Sequence, residues 1–243
     1  MTFGSLFAGI GGMDLGMERA GLRCVWQVEI NPFCRRVLSK HWPAVPKHDD
    51  VRTFPDGETS RWKAEVICGG FPCQDVSRAG LRAGIEGERT GLYRELLRVI
   101  RLLRPRYAIL ENVPGLLDGG LGTVLGDLAA LGFDAEWSVL SACAVGAPHT
   151  RERVFVVAYP HGQHGQEGVG LQSNRPSEDE RRHAEADTRR RVDAIAREGG
   201  VVDGFSAWVD RSERIKGLGN AVYPDAAEYI GRRLMAAEAR LLG

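Results

Sequence analysis

The sequence predicts an α/β fold, a mostly parallel sheet with helices on both faces, and three observations carry that reading. Short apolar runs of strand length alternate with stretches whose apolar residues recur at helical spacing. A glycine-rich turn, Phe7-Ala8-Gly9-Ile10-Gly11-Gly12, separates the first run from the first helical stretch. The chain has 243 residues, 43% hydrophobic and 26% charged, which suits one ordinary globular domain with a buried core and a small appendage.

Taken in order, residues 2–7 form the first strand and 13–20 the helix after the glycine turn. Residues 24–29 form a second strand, and Asn31 and Pro32 then serve as cap and first residue of a helix running to about His41. Residues 65–68 are a third strand and 107–110 a fourth. Between them Leu92, Leu96, Val99, Ile100 and Leu103 line one side of a helix, which puts Arg94, Arg98 and Arg101 on its other side. Residues 121–131 read as a helix, 136–140 and 154–158 as strands, and 224–242 as a closing helix. Composition changes at Pro160, beyond which large apolar residues almost vanish, so a loop, small subdomain or partly disordered stretch is expected there.

Several function classes are disfavoured. The 5 cysteines, Cys24, Cys34, Cys68, Cys73 and Cys143, are odd in number and include no CxxC pair, so disulfides and a zinc knuckle are poorly supported. His161 and His164 lack a further ligand cluster nearby and read as part of a solvated loop, so no metal is expected. No apolar run approaches a membrane span, and the amino terminus lacks a basic start with a small-residue cleavage site; a cytoplasmic protein without membrane contact is expected. Formal net charge is +0, which argues against indiscriminate polyanion binding. Locally, Arg78, Arg82, Arg89, Arg94, Arg98, Arg101, Arg104 and Arg106 face only Glu86, Glu88 and Glu95, which makes this tract a candidate for phosphate contact. A second arginine-rich tract, 175–214, is nearly matched by acids and reads as a solvated helix.

Four loop sequences point to chemistry. In Gly-Gly-Phe-Pro-Cys-Gln-Asp-Val-Ser, residues 69–77, Cys73 follows a proline on a turn leaving the apolar run Val66-Ile67-Cys68. A thiol displayed there is placed for covalent chemistry, although a cysteine in a tight turn also serves as a small packed residue. The glycine turn suits a nucleotide-type ligand, since glycines admit it to the backbone and a helix amino terminus favours electronegative groups. Counting from Gly9 and Gly11, the third dinucleotide-motif position is Asp14 rather than glycine. Glu29, about 20 residues on, still suits ribose hydroxyls, so a ribose-bearing ligand without pyrophosphate, such as S-adenosylmethionine, fits both facts. Glu111 follows the strand Tyr-Ala-Ile-Leu and belongs at the carboxyl edge of the sheet, where Cys73 also falls; a helix cap or ion-pair role would place it equally well. In His149-Thr150-Arg151-Glu152-Arg153, two arginines two residues apart enter a strand and point the same way.

Together these residues resemble the DNA cytosine-5 methyltransferase family. The glycine turn resembles its first motif, Pro-Cys-Gln with Ser77 its nucleophile loop, Glu-Asn-Val its acidic motif, His-Thr-Arg-Glu-Arg its QxRxR motif, and Gly-Leu-Gly-Asn-Ala-Val-Tyr-Pro its last motif. The likeness covers residue 3 to about 159 and resumes at about 209. It implies a Rossmann-like S-adenosylmethionine-dependent methyltransferase fold. It also implies a methyl transfer to C5 of a flipped cytosine in duplex DNA, releasing S-adenosylhomocysteine. By the family mechanism the Cys73 thiolate attacks C6, Glu111 stabilises the protonated N3, Arg153 holds the cytosine O2, and Arg151 supports the nucleophile loop or a phosphate. The base that removes the C5 proton is not evident in the sequence. Cofactor-contacting positions map onto Phe7, Gly9, Gly11, Glu29, Asp50, Val51, Pro72, Leu92, Asn220 and Ala221, with Glu29 on the ribose, Asp50 on the adenine amine and Phe7 on the adenine face. Gln74, Ser77, Arg78, Arg82 and Arg89 fall in a stretch resembling the mobile loop that closes over DNA.

The likeness implies three segments: a cofactor-binding and catalytic domain over 1–159, a short target-recognition region over 160–208, and a C-terminal motif and helix over 209–243 that return to the catalytic domain. His149 departs from the family's glutamine, and the recognition region is reduced, as in compact forms carried by phages and prophages. A monomer is expected, with a restriction endonuclease as a candidate partner. Two other readings stand beside this one: methylation of cytosine in tRNA, which one branch of the family performs with the same active site, and a DNA-binding pseudoenzyme.

Overall fold

The computed structural model describes residues 1–72, 90–147, 149–164, 168–171 and 221–242. In chain order the elements are β1 (Thr2–Leu6), α1 (Gly12–Arg19), β2 (Arg23–Val28), α2 (Pro32–His41), β3 (Lys47–His48), β4 (Val66–Gly70) and α3 (Thr90–Leu103). There follow β5 (Tyr107–Asn112), α4 (Leu116–Gly119), α5 (Leu121–Ala130), β6 (Phe133–Ser141), β7 (Glu152–Pro160) and α6 (Pro224–Leu242). The seven strands make one sheet in the order β3-β2-β1-β4-β5-β7-β6. β1 to β5 pair in parallel, while β7 runs antiparallel to both β5 and β6.

Alternation along the strands supplies two cores. Leu6, Trp26, Ile67, Leu110 and Val156 face α3 and α5, which contribute Leu96, Val99, Ile100, Val124 and Leu128. The intervening residues Phe3, Val66, Ile109, Phe155 and Val157 face α1 and α6, through Met13, Met17, Ile230 and Leu234. α2 begins as its sequence predicts, with the Asn31 side chain accepting hydrogen bonds from the amides of Phe33 and Cys34 ahead of Pro32.

α6 returns across the far end of the chain to lie on α1, and small residues permit it. A Cβ on Gly16 would meet the Pro224 carbonyl at 2.2 Å, and one on Gly231 would meet the Ala20 Cβ at 2.6 Å. This close approach lays Ala221 and Val222 beside the glycine turn.

Four sequence expectations need correction. The two-residue β3 carries no apolar run and was not predicted, so the expected third strand is the fourth. β4, β5 and β6 extend past their apolar runs, because ladder pairing continues: Gly70 pairs with Glu111, and Glu111 with Phe155. Arg98 does not lie on a free helix face; it donates to the carbonyls of Val51 at 2.7 Å and Phe54 at 2.5 Å. Arg104 likewise donates to Leu131 O at 2.7 Å, and Arg106 pairs with the buried Glu238 at 2.7 Å, so these three of the proposed phosphate-contacting arginines hold the fold together.

After Pro160 the described residues up to 171 form loop that is docked on the sheet. Val169 is fully buried in the second core. The Glu136 carboxylate accepts hydrogen bonds from the amides of Gly170 and Leu171, each at 3.0 Å, from the Tyr159 hydroxyl at 2.9 Å, and from the Val169 amide. His164 Nε2 lies 2.8 Å from the Tyr107 hydroxyl, which donates to Glu238, whereas His161 pairs with Asp134. The two histidines therefore serve different partners. Among the described residues no helix is long and apolar enough to cross a membrane.

Candidate active site

The carboxyl ends of β1, β4 and β5 and the start of β7 meet around a cleft of about 630 Å³. Phe7, Gly9, Glu29, Pro72, Leu92 and Ala221 line it together with Glu111, Arg151 and Arg153. One cavity thus holds the residues read as cofactor-binding and those read as catalytic. The antiparallel β7 is what makes this possible, since its amino end, carrying the arginines, reaches the edge where the parallel strands finish.

On one side stands the glycine turn. Phe7 adopts a φ of 54, the left-handed region that a bulky side chain rarely occupies, and Gly9 follows at 57. The turn is held by Ala8 N to Val28 O at 3.1 Å and by Gly9 N to Glu29 Oε2 at 2.8 Å. A Cβ on Gly9 would meet nothing within 4 Å, so its bare backbone faces open space. The other Glu29 oxygen accepts from Asn31 N at 2.8 Å. A carboxylate offers about four lone-pair sites, so each Glu29 oxygen keeps acceptor capacity for a diol.

On the other side Glu111 is 8% exposed, and its Oε1 meets Arg153 Nε at 2.7 Å. Burial pushes the Glu111 carboxyl above the ordinary range, while Arg153 and then Arg151 draw it back down. Burial and the charge of Arg153 in turn lower Arg151 from its usual value. Burial and the two arginines thus act on this carboxyl in opposite senses, and burial prevails.

Three predicted cofactor residues lie off the wall of this cleft. A Cβ on Gly11 would meet the Trp42 ring at 2.5 Å, so the Gly11 glycine serves the packing of α1 on α2. Val51 is buried in the core, and the Asp50 carboxylate accepts from the Arg52 amide at 2.9 Å. Cys73, Gln74, Ser77, Arg78, Arg82, Arg89 and Asn220 lie outside the described residues; Pro72 and Ala221, the sequence neighbours of Cys73 and Asn220, are on the wall.

Sequence reasoning missed two contributors. Gly70 sits opposite Glu111, and a Cβ there would lie 2.5 Å from Glu111 Oε2, so its lack of a side chain makes room for the carboxylate. Asn112 is 3% exposed and bridges two loops, its Nδ2 donating to Phe71 O at 3.2 Å and its Oδ1 accepting from Val113 N at 2.8 Å. Asn112 was visible as part of Glu-Asn-Val; Gly70 becomes visible only with the β4–β5 register.

A sheet of this strand order, parallel but for β7, with the glycine turn and an acid at its carboxyl edge, defines the Rossmann-like fold of S-adenosylmethionine-dependent methyltransferases. Within that class the chain belongs to the C-5 cytosine-specific DNA methylase family, whose profile matches residues 1–199. It is 34% identical over 162 residues to the Type II methyltransferase M2.BsuMI of Bacillus subtilis, covering 63% of this chain and 41% of that protein. It is 30% identical over 167 residues to M.HhaI of Haemophilus parahaemolyticus, covering 65% of this chain and 49% of that one. The chain thus spans less than half the length of these relatives. Two solved structures share the fold over nearly their whole length. One, a protein encoded within an E. coli prophage, has a TM-score of 0.65 at 18% identity and covers 98% of this chain and 99% of that one. The other, the Entamoeba histolytica methyltransferase EhMeth, has a TM-score of 0.66 at 14% identity and covers 100% and 99%.

Proposed function

We propose that this protein methylates C5 of a flipped cytosine in double-stranded DNA, using S-adenosylmethionine and a transient bond between Cys73 and C6. The observation that carries the reading is the buried Glu111–Arg153 pair sharing one cleft with Arg151, the open-faced Gly9 and Glu29. The cleft fits the cofactor: Glu29 has acceptor capacity left for ribose hydroxyls, Gly9 admits a ligand to the backbone, and Phe7, Pro72, Leu92 and Ala221 supply apolar wall. Bound there, S-adenosylmethionine supplies the electrophilic methyl group that C5 takes.

The chain's own residues prepare the ring for that transfer. The Cys73 thiolate adds to C6, forming the S–C6 bond and opening the C5–C6 double bond, while Glu111 gives its proton to N3. Electron density then lies on C5. Arg153, fixed by Glu111, donates to the cytosine O2, and nearby positive charge favours the thiolate. After C5 is methylated it loses its proton to a base, the S–C6 bond breaks, the double bond reforms, and the N3 proton returns to Glu111. A paired base cannot reach such a cleft, so the cytosine must leave the stack. Residues 160–208 are assigned to choosing which cytosine does so.

Cys73→Ala is expected to abolish methyl transfer to duplex DNA while calorimetry still shows S-adenosylmethionine binding; undiminished transfer would sink the mechanism. Transfer to tRNA but not to DNA in parallel assays would move the protein to the RNA-modifying branch. Bisulfite sequencing of DNA from expressing cells reads out the target, and with it the site a restriction endonuclease partner would have to share.

A further inference from the structure

His149 lies between Ala142–Val145, a short 3-10 turn, and β7, in the loop that delivers Arg151 to the cleft. Two attachments hold that loop. At its base the Ala142 amide donates to the Arg151 carbonyl at 2.9 Å. At its tip the His149 ring meets the Tyr223 ring edge-on, with centroids 5.4 Å apart and planes at 76°. Tyr223 is itself immobilised, because its carbonyl accepts from the amides of Ala226 and Ala227 and so caps α6. One residue earlier, the Val222 carbonyl packs so tightly on α1 that a Cβ on Gly12 would stand 2.2 Å from it. A continuous line of contact therefore runs from Arg151 through His149, Tyr223 and Val222 to the glycine turn.

Resting on the function proposed above, we infer that His149 is a positioning residue that couples the arginine side of the cleft to its cofactor side, and that it does so in its neutral form. The ring's Nδ1 is buried and has no hydrogen-bond partner among the described residues. Protonating it would bury a charged N–H donor that only the residue's own backbone favours. Among the described residues, the charged or titratable groups that line the adjoining cavity of about 440 Å³ with His149 are Arg151 of the same loop, Glu18 of α1, His41 of α2 and Tyr223. Of these only Glu18 is an acid. Burial first, and then Arg151, hold His149 below the usual histidine value of 6.5.

The direction with pH follows. Above 6.5 the ring is neutral in both folded and unfolded chains and costs nothing; below it the unfolded chain gains a proton that the folded loop resists, so the attachment weakens as pH falls. Three proteins separate packing from titration: wild type, His149→Ala, which loses both, and His149→Phe, which keeps the ring without its nitrogens. His149→Ala is expected to lose about tenfold in kcat at pH 7.5, the scale of one aromatic contact and the aim of one cleft residue. His149→Phe is expected to retain kcat, and its melting temperature should fall less than that of wild type between pH 7.5 and 5.5. Wild-type kcat in His149→Ala, or a His149→Phe protein as impaired as His149→Ala or as acid-sensitive as wild type, would overturn the inference. The melting comparison needs no substrate, so it tests His149 even if wild type transfers no methyl group, a result that would instead sink the proposed function.

Discussion

Replacing Gly70 with alanine adds one methyl group whose place is dictated by the backbone: 2.5 Å from Glu111 Oε2 and 3.7 Å from the carboxyl carbon. Gly70 lies in a regular parallel ladder and has no left-handed φ, so alanine suits its backbone and the whole effect is steric. To restore a contact of 3.4 Å the oxygen must retreat by about 0.9 Å. Glu111, itself only 8% exposed, has little freedom to do so, since its other oxygen is held by Arg153 Nε at 2.7 Å. Moving the carboxylate that far strains or breaks a charge-assisted hydrogen bond worth about 1.5–3 kcal/mol. A misplacement near 1 Å also costs about 10²-fold in rate when it falls on a reacting group. Gly70→Ala is therefore expected to lower unfolding free energy in urea by about 1–3 kcal/mol and kcat by about 10²-fold, with S-adenosylmethionine affinity by calorimetry little changed. Gly126→Ala on the exposed face of α5 is the control, because its Cβ would meet nothing within 4 Å. Removing a glycine from that helix interior should stabilise by about 0.5–1 kcal/mol. A Gly70→Ala protein with wild-type stability and kcat would refute the claim that this glycine shapes the acid's site.

Asp14 is fully buried, its carboxylate accepting from Ser5 Oγ at 3.1 Å and Gln27 Nε2 at 2.7 Å, and burial outweighs those bonds to raise its pKa from 3.8 to about 6. Its penalty to folding is absent below 3.8, grows from there to about 6 and is full above, where a shift of this size corresponds to about 3 kcal/mol at most. Asp14→Asn should thus gain stability over wild type at pH 8 and lose most of that gain by pH 4.5; a difference independent of pH would contradict the assignment. Glu136→Ala removes the acceptor shared by Tyr159 and the amides of Val169, Gly170 and Leu171. Loss of roughly 3 kcal/mol of local stability should speed hydrogen exchange at those three amides by about 10²-fold, whereas unchanged protection would show that burial of Val169 alone holds the segment.

Local chemistry made much of the fold readable. The Asn31-Pro32 cap, the apolar stripe of α3 and the strands around Ile67 and Ile109 are each set by interactions within a few residues, and each forms where its pattern predicts. β3 escaped notice because a two-residue strand has no period to detect. Arg98 was misread because a helical wheel reports which side a residue occupies but not that the carbonyls of Val51 and Phe54 wait beside it. The docking of residues 168–171 was not legible because it rests on one buried valine and one carboxylate from a strand distant in sequence.

From the sequence alone came the order of the strands and helices along the chain save the two-residue β3 and the one-turn α4, the carboxyl-edge location of Glu111, and the family to which the motifs belong, since all three are written in short-range patterns. Tertiary structure decided what shares a wall. It turned β7 antiparallel so that Arg153 meets Glu111 with Arg151 on the same cleft, set Gly70 against that carboxylate, and laid Ala221 beside the glycine turn by packing α6 on α1. The physical reason is one of range: a cap or an apolar period is satisfied within a turn or two of chain, whereas the site depends on strand register and helix contact between residues that are distant in sequence.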